Sequence, residues 1–394
     1  MADVLYRSAH LLVKVAHRGG DVCVITFDAF TDTSDLERPA FGERFFQDDG
    51  VSAVHIVNGR NRWYHEPDWR DAIDAAWQAV RDYPRRLTYG SSMGGYAALV
   101  FAGHLGAQTA LALSPQYSRD PRKVPFERRW APHRRERWLA ELSCPLPRDV
   151  AAIAVYDPVV RADRAHVDCI AREMQVSRLA LPHAGHGSAA FLADVGLLGP
   201  LVLSVVTGTG DLTGISKMAR ERRKQSPHYL IALCEAALAQ KRLHLAKRLA
   251  ERATHLVPGE EGPWHVLGRV QDRLGAFQEA LSAHQRAAKI APHLPAVQFG
   301  LAVAQRRVGD LEGALQTLYA LSKQPLPAHS GRFVNRAIWL TRALRWLAPA
   351  GAVWMAEFAR SHARARSQRR SRPLSLTDPV KPPVSHPHGS RPSS

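Results

Sequence analysis

The 394-residue chain is poor in cysteine, in long apolar runs and in acidic residues, and each shortage closes off a class of protein. Only Cys23, Cys144, Cys169 and Cys234 occur, far apart and without a CxxC pair. That spacing excludes a zinc ribbon or disulfide framework and fits a reducing compartment, so a cytoplasmic protein is expected. The apolar stretch from Phe191 to Val206 carries Asp194 and Ser204 and falls short of the ~20 residues of a membrane helix. The N-terminal run is interrupted by Lys14 and lacks the small-residue cleavage site of a signal peptide, so it is expected to belong to the first folded domain. No membrane span is expected.

Acids number 36 against 53 Lys and Arg, a formal charge of +17. Much of the excess sits beyond Arg360, in a Ser-, Pro- and His-rich stretch that cannot bury a core and reads as a disordered basic tail over 365–394. No nucleic-acid-binding motif accompanies the charge, so no specific nucleic-acid partner is expected.

What is present falls into two compositions. In the first half, apolar runs rich in β-branched residues alternate with helix-like segments, the pattern of a mainly parallel sheet with helices on its faces. Strands are expected at Val22–Phe27, Val51–Val57, Arg86–Tyr89, Thr109–Leu113, Ala151–Tyr156 and Arg178–Leu181, with helices over Trp69–Tyr83 and Gly94–Leu105. Beyond the basic connector Lys217–Lys224 the strands vanish and Ala, Leu and Arg dominate at helical spacing. There Pro258 and Pro292, Gly275 and Gly309, Ala246, Ala280 and Ala314, and Leu233, Leu267 and Leu301 each recur at a 34-residue step. A fixed period of this kind marks stacked helix–turn–helix units.

Within this region, Trp264, Leu267, Gly268, Gly275, Ala280, Ala287 and Pro292 resemble the tetratricopeptide repeat family. Gln271 and His284 stand where that family has aromatic residues, and Lys241 where the first repeat lacks the turn glycine. The expected domains are 1–210, a basic connector over 211–225, about three repeats over 226–330, capping helices over 331–364 and the tail. Trp339, Trp346 and Trp354 are expected to pack as the cap.

The chemistry concentrates at Gly90-Ser91-Ser92-Met93-Gly94, a G-x-S-x-G sequence between an expected strand and an expected helix. A serine at such a turn is held at an exposed apex, and glycines two before and two after it leave room for the neighbouring backbone. A serine hydroxyl needs a base, and the base needs an acid to fix its tautomer. In the order Ser, acid, His, the chain offers Asp157 at a strand end and His186 between Gly185 and Gly187. Asp163 is the alternative acid, and His183 and His166 are alternative bases. The amide of Met93 and one from Ala29 or Phe30 are expected to form the oxyanion hole. Asp28 beside them could instead cap its strand.

Residues 1–210 resemble the α/β-hydrolase superfamily, and more narrowly a bacterial group in which Phe41–Phe46, Trp63–Tyr64 and Tyr89–Leu99 have counterparts. The resemblance implies the α/β-hydrolase fold and a serine hydrolase site, with no cofactor or metal. Trp63 and Tyr64 are candidates for the pocket wall, with simple packing as the other reading. An insertion from Gln116 to Trp138 carries eight basic and three acidic residues between Arg119 and Arg137. It is either a cap favouring an anionic substrate or a solvated basic surface.

The expected function is hydrolysis of an ester or thioester, by an esterase, deacylase or thioesterase acting on a small-molecule or glycan-linked acyl substrate, with a protein partner on the repeats. Transfer to another acceptor would use the same triad, and a non-catalytic scaffold is the rival reading.

Overall fold

The computed structural model describes residues 2–31, 33–129, 138–143, 145–324 and 330–345. The described residues up to Ile338 form one compact unit, and the chain from Trp339 onward is separate from it.

Eight strands make one sheet: β1 (Asp3–Arg7), β2 (Leu11–Ala16), β3 (Val22–Phe27), β4 (Ser52–Asn58), β5 (Arg85–Ser91), β6 (Thr109–Leu113), β7 (Ala151–Tyr156) and β8 (Gln175–Ala180). Their order is β1-β2-β4-β3-β5-β6-β7-β8. β2 pairs antiparallel with both β1 and β4, and the remaining neighbours are parallel. The near-continuous apolar runs of β3 and β4 follow from helices covering both faces. The hairpin β1–β2 comes from the segment assigned only to the first folded domain. Ser8 closes its turn, the hydroxyl oxygen accepting from His10 N and Leu11 N at 2.9 Å each. Lys14 is tolerated within β2 because its ammonium donates to Glu43 Oε2 at 2.7 Å.

Helices α1 (Glu43–Asp48), α2 (Trp69–Val80), α3 (Met93–Val100), α4 (Arg161–Ile170), α5 (Ser188–Asp194) and α6 (Leu198–Thr207) connect and flank the strands. On one face α2 and α3 bury Trp69, Ile73 and Ala97 against Ile25, Phe27 and Ile56. On the other face α5 and α6 bury Phe191, Leu192, Leu201 and Val202 against Leu87, Leu111, Val155 and Leu179. Among the described residues, no single helix is long and apolar enough to cross a membrane; α5 and α6 are bent by 105° to one another.

The second core continues into the helical half. Helix α7 (Leu212–Arg222) contributes Ile215 and Ala219, while α8 (Pro227–Ala239) and α9 (Leu243–Leu256) contribute Tyr229, Leu230 and Ala253. Ser226 caps α8 by accepting from Tyr229 N at 3.0 Å, with Pro227 in the first turn. Helices α10 (Glu261–Leu274), α11 (Phe277–Ile290), α12 (Pro295–Val308) and α13 (Leu311–Ser322) complete three antiparallel pairs with α8 and α9.

The 34-residue glycines have a geometric cause. Gly275 and Gly309 end α10 and α12 at φ 77° and 91°, the left-handed conformation that lets the chain reverse. Lys241 occupies the same place after α8 and adopts φ 59° without glycine's freedom. A Cβ on Gly268 would lie 2.6 Å from the His284 ring, so that imidazole occupies the space between helices where an aromatic was expected. Beyond the third pair, Val334 and Ala337 bury against Ala302, Leu318 and Leu321. Trp339, expected in the cap, belongs to the chain beyond this unit. Trp346, Trp354 and the tail lie outside the described residues.

Candidate active site

β5 runs directly into α3 at Ser92, which has φ 52° and ψ −110°. A non-glycine residue in this region is strained, by about 1–3 kcal/mol, and persists only where its surroundings impose it. Here the flanking glycines do so. A Cβ on Gly90 would lie 2.2 Å from Gly94 O, and one on Gly94 would lie 2.2 Å from Phe27 O. The turn therefore closes on itself and against the end of β3. Ser92 N donates to Leu113 O at 2.8 Å, tying the apex to β6.

His186, on the loop between β8 and α5, brings Nε2 to 2.9 Å from Ser92 Oγ. Its other nitrogen, Nδ1, lies 3.0 Å from both carboxylate oxygens of Asp163. The carboxylate can only accept, so Nδ1 carries the proton and Nε2 is left to accept from the serine hydroxyl. Asp163 is buried in the first turn of α4.

Asp157, the acid expected at the strand end, has a different task. Its Oδ1 accepts from Val159 N at 2.8 Å and its Oδ2 from Gly185 N at 2.9 Å. Asp157 thus opens the turn after β7 and anchors the loop that carries His186. The acid beside the imidazole is Asp163, in the first turn of α4 beyond that turn.

The alternative bases are otherwise engaged. His166 is fully buried, its Nδ1 accepting from Tyr117 N at 3.2 Å and its Nε2 donating to Glu127 Oε2 at 3.0 Å. Burial dominates its titration and lowers its pKa, against the pull of Glu127. His183, at φ 65°, meets the ring of Tyr229 edge-on.

Glu127 belongs to the basic insertion and begins a chain of contacts the sequence did not suggest. Burial pushes its carboxyl pKa up, but the hydrogen bonds from His166 and Arg129 outweigh this and hold it well below the usual range. Arg129 Nη2 donates to Glu127 Oε2 at 2.6 Å and Arg129 Nη1 to Asp163 Oδ1 at 2.7 Å. The same Nη1 lies 3.3 Å from His186 Nδ1. Both atoms are donors there, so this is a close approach rather than a hydrogen bond. Ser114 Oγ and Ser188 Oγ, 2.7 Å apart, join the end of β6 to the start of α5.

The described part of the insertion has a buried and an exposed side, with Arg122, Lys123 and Arg128 exposed. Gln116, Ser118, Arg119, Asp120, Val124 and Glu127 are buried. Arg122 is paired with Asp120, and Arg129 with Glu127 and Asp163. Arg122 and Arg129 are thus ion-paired, while residues 130–137 lie outside the described set.

The remaining expected residues occupy a second tier. Met93 begins α3, and Ala29 and Phe30 follow β3, which Gly94 brings against the elbow. Asp28 accepts from Phe41 N at 2.8 Å and pairs with Arg38 at 2.6 Å, holding the segment after β3. Tyr64 is a core residue: its hydroxyl donates to Asp28 O and its ring packs on Phe27 and Phe101. Trp63 is fully buried, donates through Nε1 to Gln116 Oε1, and lies under the Arg119 guanidinium at 3.9 Å. Both aromatics take positive φ, 53° and 60°. Gln116 Nε2 is buried without an acceptor among the described residues.

No protein-family model and no curated protein matches the chain. Among solved structures, the chain is similar to a fluorophosphonate-binding serine hydrolase of Staphylococcus aureus, with TM-score 0.32 and 13% identity over 56% of this chain and 97% of that one. It is also similar to the capsule O-acetyltransferase of Neisseria meningitidis serogroup A, with TM-score 0.36 and 9% identity over 51% and 93% of the two chains. A third likeness is to YrrB, described as a TPR protein with an unusual peptide-binding site, with TM-score 0.29 and 18% identity over 40% and 79%. The sheet with its flanking helices and the helix pairs that follow make the chain an α/β-hydrolase fold continued by a tetratricopeptide-like helical array.

Proposed function

We propose that the chain is a serine hydrolase that cleaves an ester or thioester through a Ser92 acyl-enzyme. The observation that carries this reading is the strained Ser92 apex with His186 Nε2 2.9 Å from its hydroxyl and a buried carboxylate on Nδ1. In the proposed cycle His186 takes the Ser92 proton as Oγ attacks the acyl carbon, and Asp163 stabilises the imidazolium that forms. The amides of Met93 and of Ala29 or Phe30 receive the developing oxyanion. His186 then returns the proton to the leaving group, and water repeats the sequence on the acyl-enzyme.

The repeats are assigned a protein partner.

Labelling with a fluorophosphonate probe tests the reading without knowledge of the substrate. Wild type is expected to label, and Ser92→Ala and His186→Ala are expected not to. A folded wild-type protein that fails to label would overturn it.

A further inference from the structure

A cavity of about 220 Å³ lies away from Ser92, where β8, α7 and α8 meet. Three segments of different origin wall it. Leu181 and His183 come from the loop that continues to His186, Arg220 and Arg223 from the basic connector, and Tyr229 from the first helical pair. Phe191 of α5 closes the apolar side. Neither Ser92, Asp163 nor His186 lines it.

The charge in this cavity is unbalanced. Among the described residues no carboxylate lies within ion-pairing distance of Arg220 or Arg223, unlike Arg122 and Arg129. Arg223 Nε is buried and has no acceptor among those residues, and its guanidinium stands 5.9 Å from the Tyr229 ring. The nearby Asp194 is committed elsewhere, accepting from Ser226 Oγ at 2.5 Å and pairing with His228 at 2.8 Å. A buried guanidinium N–H aimed at no acceptor is costly to maintain and is satisfied by an anion. The backbone beneath is constrained as well, with His183 at φ 65° and Gly185 at φ 71°.

We propose that this cavity binds a small organic carboxylate, the anionic group held by Arg220 and Arg223 and the apolar body against Leu181, Phe191 and Tyr229. The predominance of apolar wall argues for a carbon body rather than a bare inorganic anion. A ligand there touches the loop three residues before His186 and the first helical pair together, so it would bridge the catalytic loop and the repeats.

Isothermal titration of the full chain with benzoate, benzamide and inorganic phosphate tests this directly and needs no catalytic activity. Saturable 1:1 binding of benzoate is expected, weakened about tenfold or more by Arg223→Met and by Arg220→Met, and unchanged in Ser92→Ala. Because Arg220 is exposed, its variant reports on the site even if Arg223→Met does not fold. The proposal is overturned if benzoate does not saturate, if benzamide or phosphate binds as tightly, or if both arginine variants bind like wild type.

Discussion

Replacing Asp163 by Asn leaves the shape of the site nearly unchanged while removing the charge that faces His186 Nδ1 at 3.0 Å. An imidazolium and a carboxylate about 4 Å apart between charge centres attract by about 4 kcal/mol at an effective dielectric of 20, or roughly three powers of ten in rate. Arg129 adds to the loss. With Asp163 neutral, its guanidinium Nη1, 3.3 Å from the same nitrogen, opposes the imidazolium without its former counter-charge. The amide can also donate to Nδ1 and favour the wrong tautomer, a change that costs about 10⁴ in Ser-His-Asp enzymes generally. The second-order rate of fluorophosphonate labelling is therefore expected to fall by about 10³ to 10⁴ in Asp163→Asn. Asp157→Asn serves as the control. Asn offers one acceptor where Asp157 uses two, for Val159 N and Gly185 N. The expected loss is stability, about 1.5–3 kcal/mol for one charge-assisted bond, with labelling within about tenfold of wild type. Slow labelling in Asp157→Asn beside normal labelling in Asp163→Asn would refute the assignment.

Acid should weaken the fold through buried neutral histidines. Burial, aided by Arg62, lowers the His65 pKa from 6.5 to about 4; its Nδ1 accepts from Leu139 N at 3.0 Å. The unfolded chain then binds the extra proton first, so stability is complete above pH 6.5 and falls as the pH drops towards 4, by up to about 3 kcal/mol. His65→Gln should flatten the Tm difference between pH 7.5 and 5; an unchanged slope would count against the account. Lys241→Gly should raise Tm, since releasing a left-handed lysine gains about 1–2 kcal/mol and the added freedom of the unfolded glycine returns about 0.5–1; a lower Tm would show that the Lys241 side chain contributes more than its backbone costs.

Much of the architecture was legible because periodicity reports burial. β3, β6 and β7 stand where their apolar runs placed them, and the 34-residue glycines mark real chain reversals. Ser92 was legible because its turn cannot close without Gly90 and Gly94. The partner carboxylate was less so. Asp157 and Asp163 are both acids beyond one strand, and only three-dimensional placement distinguishes an anchor of the loop from a neighbour of the imidazole. The Asp157-Pro158 pair carried a signal for the turn, and the bond from Val159 N is that turn. Charge counting left the insertion open between a cap and a solvated surface, because sequence gives the number of arginines and not the carboxylates they meet. Lys14 concealed β2 in the same way, its charge being answered by Glu43 from 29 residues away.

The apolar layer that holds Leu179, Phe191 and Leu201 also holds Tyr229, Leu230 and Ala253. A truncation just before the first repeat would therefore strip part of the sheet domain's own interior and leave its greasy underside in water. Such a fragment would aggregate or melt early for reasons unrelated to partner binding. Deletion is thus a poor instrument for asking what the repeats recognise, and point changes on their exposed faces, which leave the common interior whole, are the sounder one.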